Sequence, residues 1–256
     1  MWRKYRKFLF LRAMKQILRQ LLRYWHLAMV ALIFMLTYPF VYLFSRNKNT
    51  YPQLNFFRKI CAFTPSLLSG IFYKVEYEEA IDWSKTYIVC PNHASNLDIF
   101  AMSLVAKGNF FFLGKDELLR NPVTRIFFQT IDIPVNRESK MSSFRAFKKT
   151  SERVLEGMTP VIFPEGRIGD DYPPVLHEFK NGPFRLAIEH QIPIIPITLK
   201  DNWKIWWDDG KKYGCKPGVS HICVHRPIDV SGFSLKDDEL LKNLVYDKIK
   251  SKLNYV

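Results

Sequence analysis

The chain has 256 residues, enough for one large domain or one domain with an appendage, and is 48% hydrophobic and 24% charged. That balance excludes disordered, collagenous and low-complexity classes and leaves ample material for a full core. The formal net charge is +14, but ten basic residues and no acidic one fall within the first 50 positions, so the remainder is nearly balanced.

Those ten residues are Arg3, Lys4, Arg6, Lys7, Arg12, Lys15, Arg19, Arg23, Arg46 and Lys48. They flank positions 24–45, a run of 22 residues without Asp, Glu, Lys or Arg. As a helix this run is about 33 Å long, enough to cross a hydrocarbon layer of about 30 Å. Trp25, Tyr38 and Tyr42 suit a membrane interface, and Pro39 predicts a kink. A basic arm beside an apolar run reads as a membrane surface rather than a nucleic-acid site. A cleavable signal peptide fits poorly, because the basic section fills positions 1–23 and no small-x-small site follows Phe44. A second uncharged run, 60–73, contains Pro65 and Gly70. It is too short to span and suits a re-entrant or interface-lying segment. Residues 1–74 are therefore expected to form a helical membrane-binding module that spans or dips, and residues 75–256 an α/β domain. A buried helix pair in a soluble protein is the alternative for the first segment.

After Tyr73, short apolar runs alternate with amphipathic segments. Strands are predicted at 87–90, 110–113, 131–135, 161–163, 194–199 and 221–225, and helices at 97–107, 123–129, 142–156, 182–190 and 237–253. Ser234 is placed to cap the last helix. The helix at 142–156 is expected to bury Phe144, Phe147, Val154 and Leu155 and to expose Arg145, Lys148, Lys149 and Arg153. Such alternation predicts an α/β fold with a mixed, largely parallel sheet flanked by helices. Four scattered cysteines without a Cys-x-x-Cys pair imply no disulfide scaffold, zinc centre or oxidising compartment.

The strand at 87–90 runs into Pro91-Asn92-His93-Ala94-Ser95-Asn96-Leu97-Asp98. A histidine with an aspartate five positions on is a candidate general base with its orienting acid. On a regular helix that spacing lies about 140° off a common face, so His93 is expected in the loop and Asp98 in the first helical turn. Alone, the pair reads equally as a surface histidine and a capping aspartate. No Gly-x-Ser-x-Gly exists, and Cys90 ends an apolar strand as a core thiol. A base at His93 therefore has to activate a nucleophile that the substrate carries. A second constellation, Val161-Ile162-Phe163-Pro164-Glu165-Gly166-Arg167, ends a strand at a tight turn. Gly166 admits close backbone approach, and Arg167 with Lys180 offers cations for a phosphate. A solvated Glu165–Arg167 ion pair is the plainer alternative.

Together these segments resemble the glycerophospholipid acyltransferase family, in particular its lysophosphatidic acid acyltransferases. Asn92-His93-x4-Asp98 looks like the family's first motif and Gly114-Lys115-x-Glu117-Leu118-x3-Pro122 like its second. Phe163-Pro164-Glu165-Gly166 looks like the third, and Ile192-Pro193-Ile194-Ile195-Pro196 like the fourth. Phe179-Lys180-x-Gly182 and the Arg137 that follows Ile133-Pro134-Val135 match as well. The order is the family's over residues 85–200; positions 1–60 and those after about Asn202 have no counterpart motif. The third motif usually continues Gly-Thr-Arg-Ser, whereas this chain reads Gly166-Arg167-Ile168-Gly169. Arg125 stands where the second motif usually has Gly. Both departures bear on the acceptor's polar group.

The resemblance implies transfer of a fatty acyl group from a thioester of coenzyme A or acyl-carrier protein to the sn-2 hydroxyl of lysophosphatidic acid, giving phosphatidic acid. His93 would deprotonate that hydroxyl and Asp98 would stabilise the imidazolium. Lys115, Arg137, Arg167 and Lys180 become candidates for the acceptor phosphate, and Glu165 with Gly166 shapes its binding turn. No metal or cofactor is implied. Expected partners are membrane lipids, the lysophospholipid and the thioester donor, not nucleic acid, with the active site facing the cytoplasm. Rival readings are an acyltransferase for another lysolipid such as an amino-acid lipid, an esterase, and a non-catalytic membrane-binding protein. His221, Cys223 and His225 alternate along one strand and diverge too far to share one tetrahedral metal easily. Trp203, Trp206 and Trp207 suit either an interface or a core.

Overall fold

Helix α1 (Trp2–Ser45) opens the chain in the computed structural model, which describes residues 2–253, and it continues through Pro39. The side chains of Arg3, Lys4 and Lys7 lie outside the described residues. After a short turn capped by Asn47, α2 (Tyr51–Leu68) starts with Pro52 in its first turn, where a missing N–H costs nothing. There follow β1 (Ile71–Tyr77), β2 (Ile88–Pro91), α3 (Leu97–Val105), β3 (Phe110–Lys115), α4 (Arg125–Gln129), β4 (Ile133–Val135) and α5 (Lys140–Leu155). The chain continues with β5 (Thr159–Val161), α6 (Gly182–His190), β6 (Ile194–Leu199), α7 (Asn202–Ile205), β7 (Gly218–Val224) and α8 (Asp238–Lys250).

Every predicted strand is present, β6 with the predicted ends and the others with shifted ones, and β1 is an additional strand. The uncharged run 60–73 is not a single element. Its first part completes α2, its last part opens β1, and Gly70 turns the chain between them at a φ of +71°, with Pro217 packed close behind. On α5 the expected apolar face is half wrong. Phe144 and Leu155 are exposed, whereas Arg153 is buried with Ala146, Thr150 and Val154. Arg153 tolerates burial because its guanidinium donates to the Thr130 carbonyl at 2.8 Å and lies over the Phe111 ring. Ser234 caps the C-terminal helical segment as expected, in a capping box with Asp237.

The seven strands form one sheet in the order β1-β7-β6-β2-β5-β3-β4, as the mixed, largely parallel expectation requires. Only the β6–β7 pair is antiparallel. Strands β6, β2, β5, β3 and β4 thus lie side by side with their carboxyl ends on one edge, where open α/β sheets bind ligands. Read across that edge, the residues at or just after the strand ends are Asn202, His93, Glu165, Lys115 and Arg137.

One face of the sheet packs Val89, Phe110, Phe112, Val161 and Ile197 against α3 residues such as Ala101 and Met102. The other packs Ile88, Cys90 and Ile194 against α6 and α8. Helices α1 and α2 lean on the β3–β4 end through Phe34, Val41 and Leu54, which meet Phe111, Phe127 and Ile133. Asn55 donates to the carbonyls of Gly108 and Phe110. Buried Arg58 donates from one guanidinium nitrogen to both oxygens of buried Asp132, at 2.9 and 3.0 Å, against the rings of Phe110, Phe112 and Phe127.

Helix α1 also grips the loop that follows α7. Gln16, Gln20 and Arg23 donate to the carbonyls of Lys212, Lys211 and Asp209, and the Arg19 carbonyl accepts from the Cys215 N–H. Elsewhere α1 leaves large apolar side chains uncovered, among them Phe10, Ile17, Met35, Leu36 and Leu43. Its segment Leu9–Ser45 is long and apolar enough to cross a membrane.

The Arg58–Asp132 pair yields a stability prediction. Arg58→Ala strands a buried carboxylate and should cost about 3–5 kcal/mol in denaturant unfolding. Arg58→Met combined with Asp132→Asn should recover most of that loss, because both charges are removed while the amide oxygen still accepts from the Phe112 N–H. A double variant as unstable as the single one would refute the account.

Candidate active site

Strand β2 ends at Pro91, and the loop beyond it folds back on the first turn of α3. Asn92 ties the loop's root to β6, accepting from the Leu199 N–H at 2.7 Å and donating to the Leu199 carbonyl at 3.1 Å. The carboxylate of Asp98, 1% exposed, accepts a hydrogen bond from the His93 Nδ1–H at 2.9 Å. The same oxygen accepts from the N–H groups of Ala94 and Ser95, each at 2.8 Å, and the other oxygen accepts from Asn202 Nδ2 at 2.8 Å. Sequence spacing placed His93 in the loop and Asp98 in the first helical turn, and both stand there. Because a carboxylate only accepts, Nδ1 carries the ring proton and Nε2 is left as the basic nitrogen.

Glu165 approaches the same histidine from β5. Its carboxyl accepts from the His93 N–H at 2.6 Å and from the His177 N–H at 3.0 Å. It is buried and forms no ion pair with Arg167, which is exposed. Burial pushes the Glu165 carboxyl up to about 8, against two backbone N–H bonds that favour its charged form, with Asp98 adding to the rise. Phe163 stacks on the His93 ring with centroids 4.1 Å apart.

Beside Phe163 opens a cavity of about 180 Å³. Leu113, Val135, Phe147, Ile162 and Leu186 make it apolar, while Arg137, Gly166 and Lys180 add polar groups. Gly166 has a φ of +72°, and a Cβ there would fall 3.0 Å from Lys180 Nζ, so glycine is what lets the lysine lie over the turn. Burial lowers the Arg137 pKa, and Glu117 opposes the shift. The structure therefore brings His93, Asp98 and Glu165 into one bonded group and Arg137, Gly166 and Lys180 into one cavity wall. Lys115 is exposed at the end of β3, and Arg167 lines no part of that cavity.

Several neighbours carry no local sequence signal. Asn202 reaches Asp98 across 104 positions. The Asp208 carbonyl accepts from the Asn96 N–H, and the Ser95 hydroxyl donates to the Trp206 carbonyl. Burial raises the Asp208 carboxyl pKa, and Asp209 adds to it while Lys115 and His93 oppose it. Trp203, Trp206 and Trp207 are buried, which settles them as core. Cys90 is fully buried and its thiol pKa is pushed up, which suits packing and not attack. His221 pairs with Asp201. Among the described residues, Glu78, Cys223 and His225 bring potential ligand atoms within 4.8 Å of one another. Both ring nitrogens of His225 are already bonded, to Glu78 and to Thr198.

A histidine oriented by an aspartate, at the carboxyl edge of an α/β sheet and beside an apolar cavity with cationic groups, has the geometry of a general-base centre. A model of the acyltransferase family matches residues 73–200, half of the chain, and the chain belongs to that family. It is 30% identical over 234 residues to the chloroplastic 1-acyl-sn-glycerol-3-phosphate acyltransferase BAT2 of Brassica napus, covering 90% of this chain and 64% of that one. Against the human 1-acyl-sn-glycerol-3-phosphate acyltransferase beta the identity is 26%, covering 66% of this chain and 60% of the other. The chain spans 47–64% of the length of several curated relatives. The fold matches the crystal structure of the 1-acyl-sn-glycerophosphate acyltransferase PlsC from Thermotoga maritima with a TM-score of 0.77 and 21% identity, covering 93% of this chain and 95% of that one.

The raised Glu165 pKa has a readable sign. An acid shifted upward stabilises the fold fully below its unfolded value near 4.3, and the contribution is lost as pH rises through about 8. Unfolding free energy should therefore fall by a few kcal/mol between about pH 4.5 and 8. Glu165→Gln should flatten that slope in denaturant titrations at stepped pH, and an unchanged slope would show that Glu165 is ionised throughout.

Proposed function

We propose that the chain is a 1-acylglycerol-3-phosphate O-acyltransferase, moving a fatty acyl group from a thioester of coenzyme A or acyl-carrier protein to the sn-2 hydroxyl of lysophosphatidic acid. The observation that carries this reading is the His93–Asp98 pair, its Nε2 without a partner among the described residues, beside a cavity that is apolar with cationic groups in its wall. His93 Nε2 takes the hydroxyl proton as the oxygen attacks the thioester carbonyl, while Asp98 balances the imidazolium. Collapse of the tetrahedral intermediate breaks the carbon–sulfur bond, and the imidazolium returns the proton to the thiolate. Both proton steps fall to one side chain, so the reading needs no metal or cofactor.

Arg137 and Lys180 are the acceptor-phosphate ligands in this reading, with Lys115 on the neighbouring strand end and Gly166 keeping the turn open. Arg167 is exposed and does not line that cavity, so this reading assigns the phosphate to the other cations. An acyl chain suits the apolar cavity wall of Leu113, Val135, Phe147 and Leu186. The uncovered apolar side chains of α1, with exposed Arg6, Arg12 and Lys15, favour docking on an anionic bilayer, with the active site on the cytoplasmic side where the thioesters are made.

The test is lipid mass spectrometry after incubating the purified full chain with thioester donors and a panel of lysolipids, including an amino-acid lysolipid and one without phosphate. Phosphatidic acid from lysophosphatidic acid supports the reading, and equal turnover of a phosphate-free acceptor sinks it. His93→Ala should lower the rate by about 10²–10⁴ in a folded protein. Arg137→Ala should raise the acceptor KM roughly ten- to a hundredfold, the loss of about 1.5–3 kcal/mol in charged hydrogen bonding, whereas Arg167→Ala should leave it near wild type. Binding to anionic vesicles should weaken with salt yet persist at high salt, since the apolar helix face is not screened.

A further inference from the structure

Asn202 lies outside every segment that resembles a family motif, yet its side chain is 1% exposed and meets the acid of the base–acid pair. It stands just past the carboxyl end of β6, the neighbour of β2, so the sheet order brings it to the His93–Asp98 loop. We propose that Asn202 is a positioning residue of the active site, holding the plane of the Asp98 carboxylate so that its other oxygen faces His93 Nδ1; the proposal rests on the acyl-transfer reading above.

The bonds on Asp98 are unequal. His93 Nδ1 and the N–H groups of Ala94 and Ser95 all converge on Oδ2. Three donors on one oxygen leave the carboxylate to swing about that point, because the terminal torsion of an aspartate is broad and nearly two-fold. The Asn202 amide at Oδ1, 2.8 Å away, removes that freedom. The amide must present its NH₂, since the carboxylate can only accept. Its own oxygen is buried without a hydrogen-bond partner among the described residues, so the side chain is satisfied there only on the side that faces Asp98.

The position of Asn202 is itself over-determined. Its backbone carbonyl accepts from the Trp206 N–H at 2.9 Å. The preceding Asp201 anchors the segment to β7 through the His221 N–H at 2.9 Å and His221 Nδ1 at 2.7 Å. The groups facing Asp98 are thus His93 and two backbone N–H groups from its own loop, Asn202 from α7 and, more distantly, the Tyr73 hydroxyl of β1, while Glu165 and Asp208 face His93. An N–H donated to Asp98 favours its ionised form and draws off part of its charge. Without that bond the carboxylate is more basic and holds the imidazolium more strongly, so His93 stays protonated to higher pH.

The test compares the full-length protein with Asn202→Leu, which keeps the branched shape without a donor, and with Asn202→Asp, whose buried carboxyl beside Asp98 shares a proton with it and can donate in place of the amide. Asn202→Leu should lower kcat about ten- to a hundredfold with donor and acceptor KM within about twofold, and Asn202→Asp should lose less. The acid limb of kcat/KM should move to higher pH for Asn202→Leu and less for Asn202→Asp, a shift that a merely structural contact would not produce. A folded Asn202→Leu protein with wild-type kcat and pH profile overturns the proposal, as does a change confined to KM. Where neither variant folds, the wild-type chain labelled with ¹⁵N-asparagine decides. The Asn202 side-chain amide resonance should move as His93 titrates, and a resonance indifferent to that titration overturns the proposal. Absence of acyl transfer by the wild type would instead sink the functional reading, and the amide titration would still report on the Asn202–Asp98 bond.

Discussion

A buried carboxylate must be met by donors or it unfolds what surrounds it, and the architecture around Asp98 follows from that requirement. Four bonds from His93, Ala94, Ser95 and Asn202 satisfy it. In doing so they curl the β2–α3 loop into one shape, fix the tautomer of the imidazole and join α3 to the segment after β6. The ring of His93 is then held on a second side by Phe163 and its backbone by Glu165, both from the strand on the opposite flank of β2. The histidine is held at three points, one from the first turn of α3 and two from the turn after β5. Little of the loop is left to move when the ring changes charge.

The sheet makes this possible through order rather than through any special residue. With β6, β2 and β5 parallel and adjacent, three turns that are far apart in sequence open on the same edge, about one strand spacing from each other. The antiparallel entry of β7, followed by β1, closes the other end of the sheet. It brings the amino-terminal strand, and with it α1 and α2, onto the same domain. Arg58 and Asn55 of α2 reach into the sheet's own core, so the helical pair is tied to the domain by buried polar bonds as well as apolar contact.

How far the sequence was legible depended on whether a feature's partners were local. The apolar runs that became β2, β3 and β6 are buried on both faces and read as continuous stretches. The five-residue offset of His93 and Asp98 was readable because a loop and one helical turn contain the whole interaction. Strand β1 was not, because it lies at the sheet's edge and carries Lys74 and Glu76 on its exposed side. The inward turn of Arg153 on α5 depends on a carbonyl 23 residues away. Asn202 depends on a carboxylate 104 residues away, and nothing in its neighbours announces that. The exposure of Arg167 belongs to the same class, since Glu165 spends its oxygens on two backbone N–H groups and leaves the arginine no partner there.

The grip of α1 on the loop after α7 sets an order of events during synthesis. Gln20 and its acceptor Lys211 are 191 residues apart, so the first helix emerges long before the carbonyls it will bind exist. At about 5–20 residues per second that interval is roughly ten to forty seconds, far longer than a helix needs to form. Through that time the apolar face of α1 and its unpaired Gln16, Gln20 and Arg23 must be accommodated by something other than the finished fold. A bilayer beside the ribosome would shelter the apolar face and leave the polar one waiting. The last turns of the sheet would then be completed against a helix already in place, and the β2–α3 loop would reach its final form only when the chain is nearly complete.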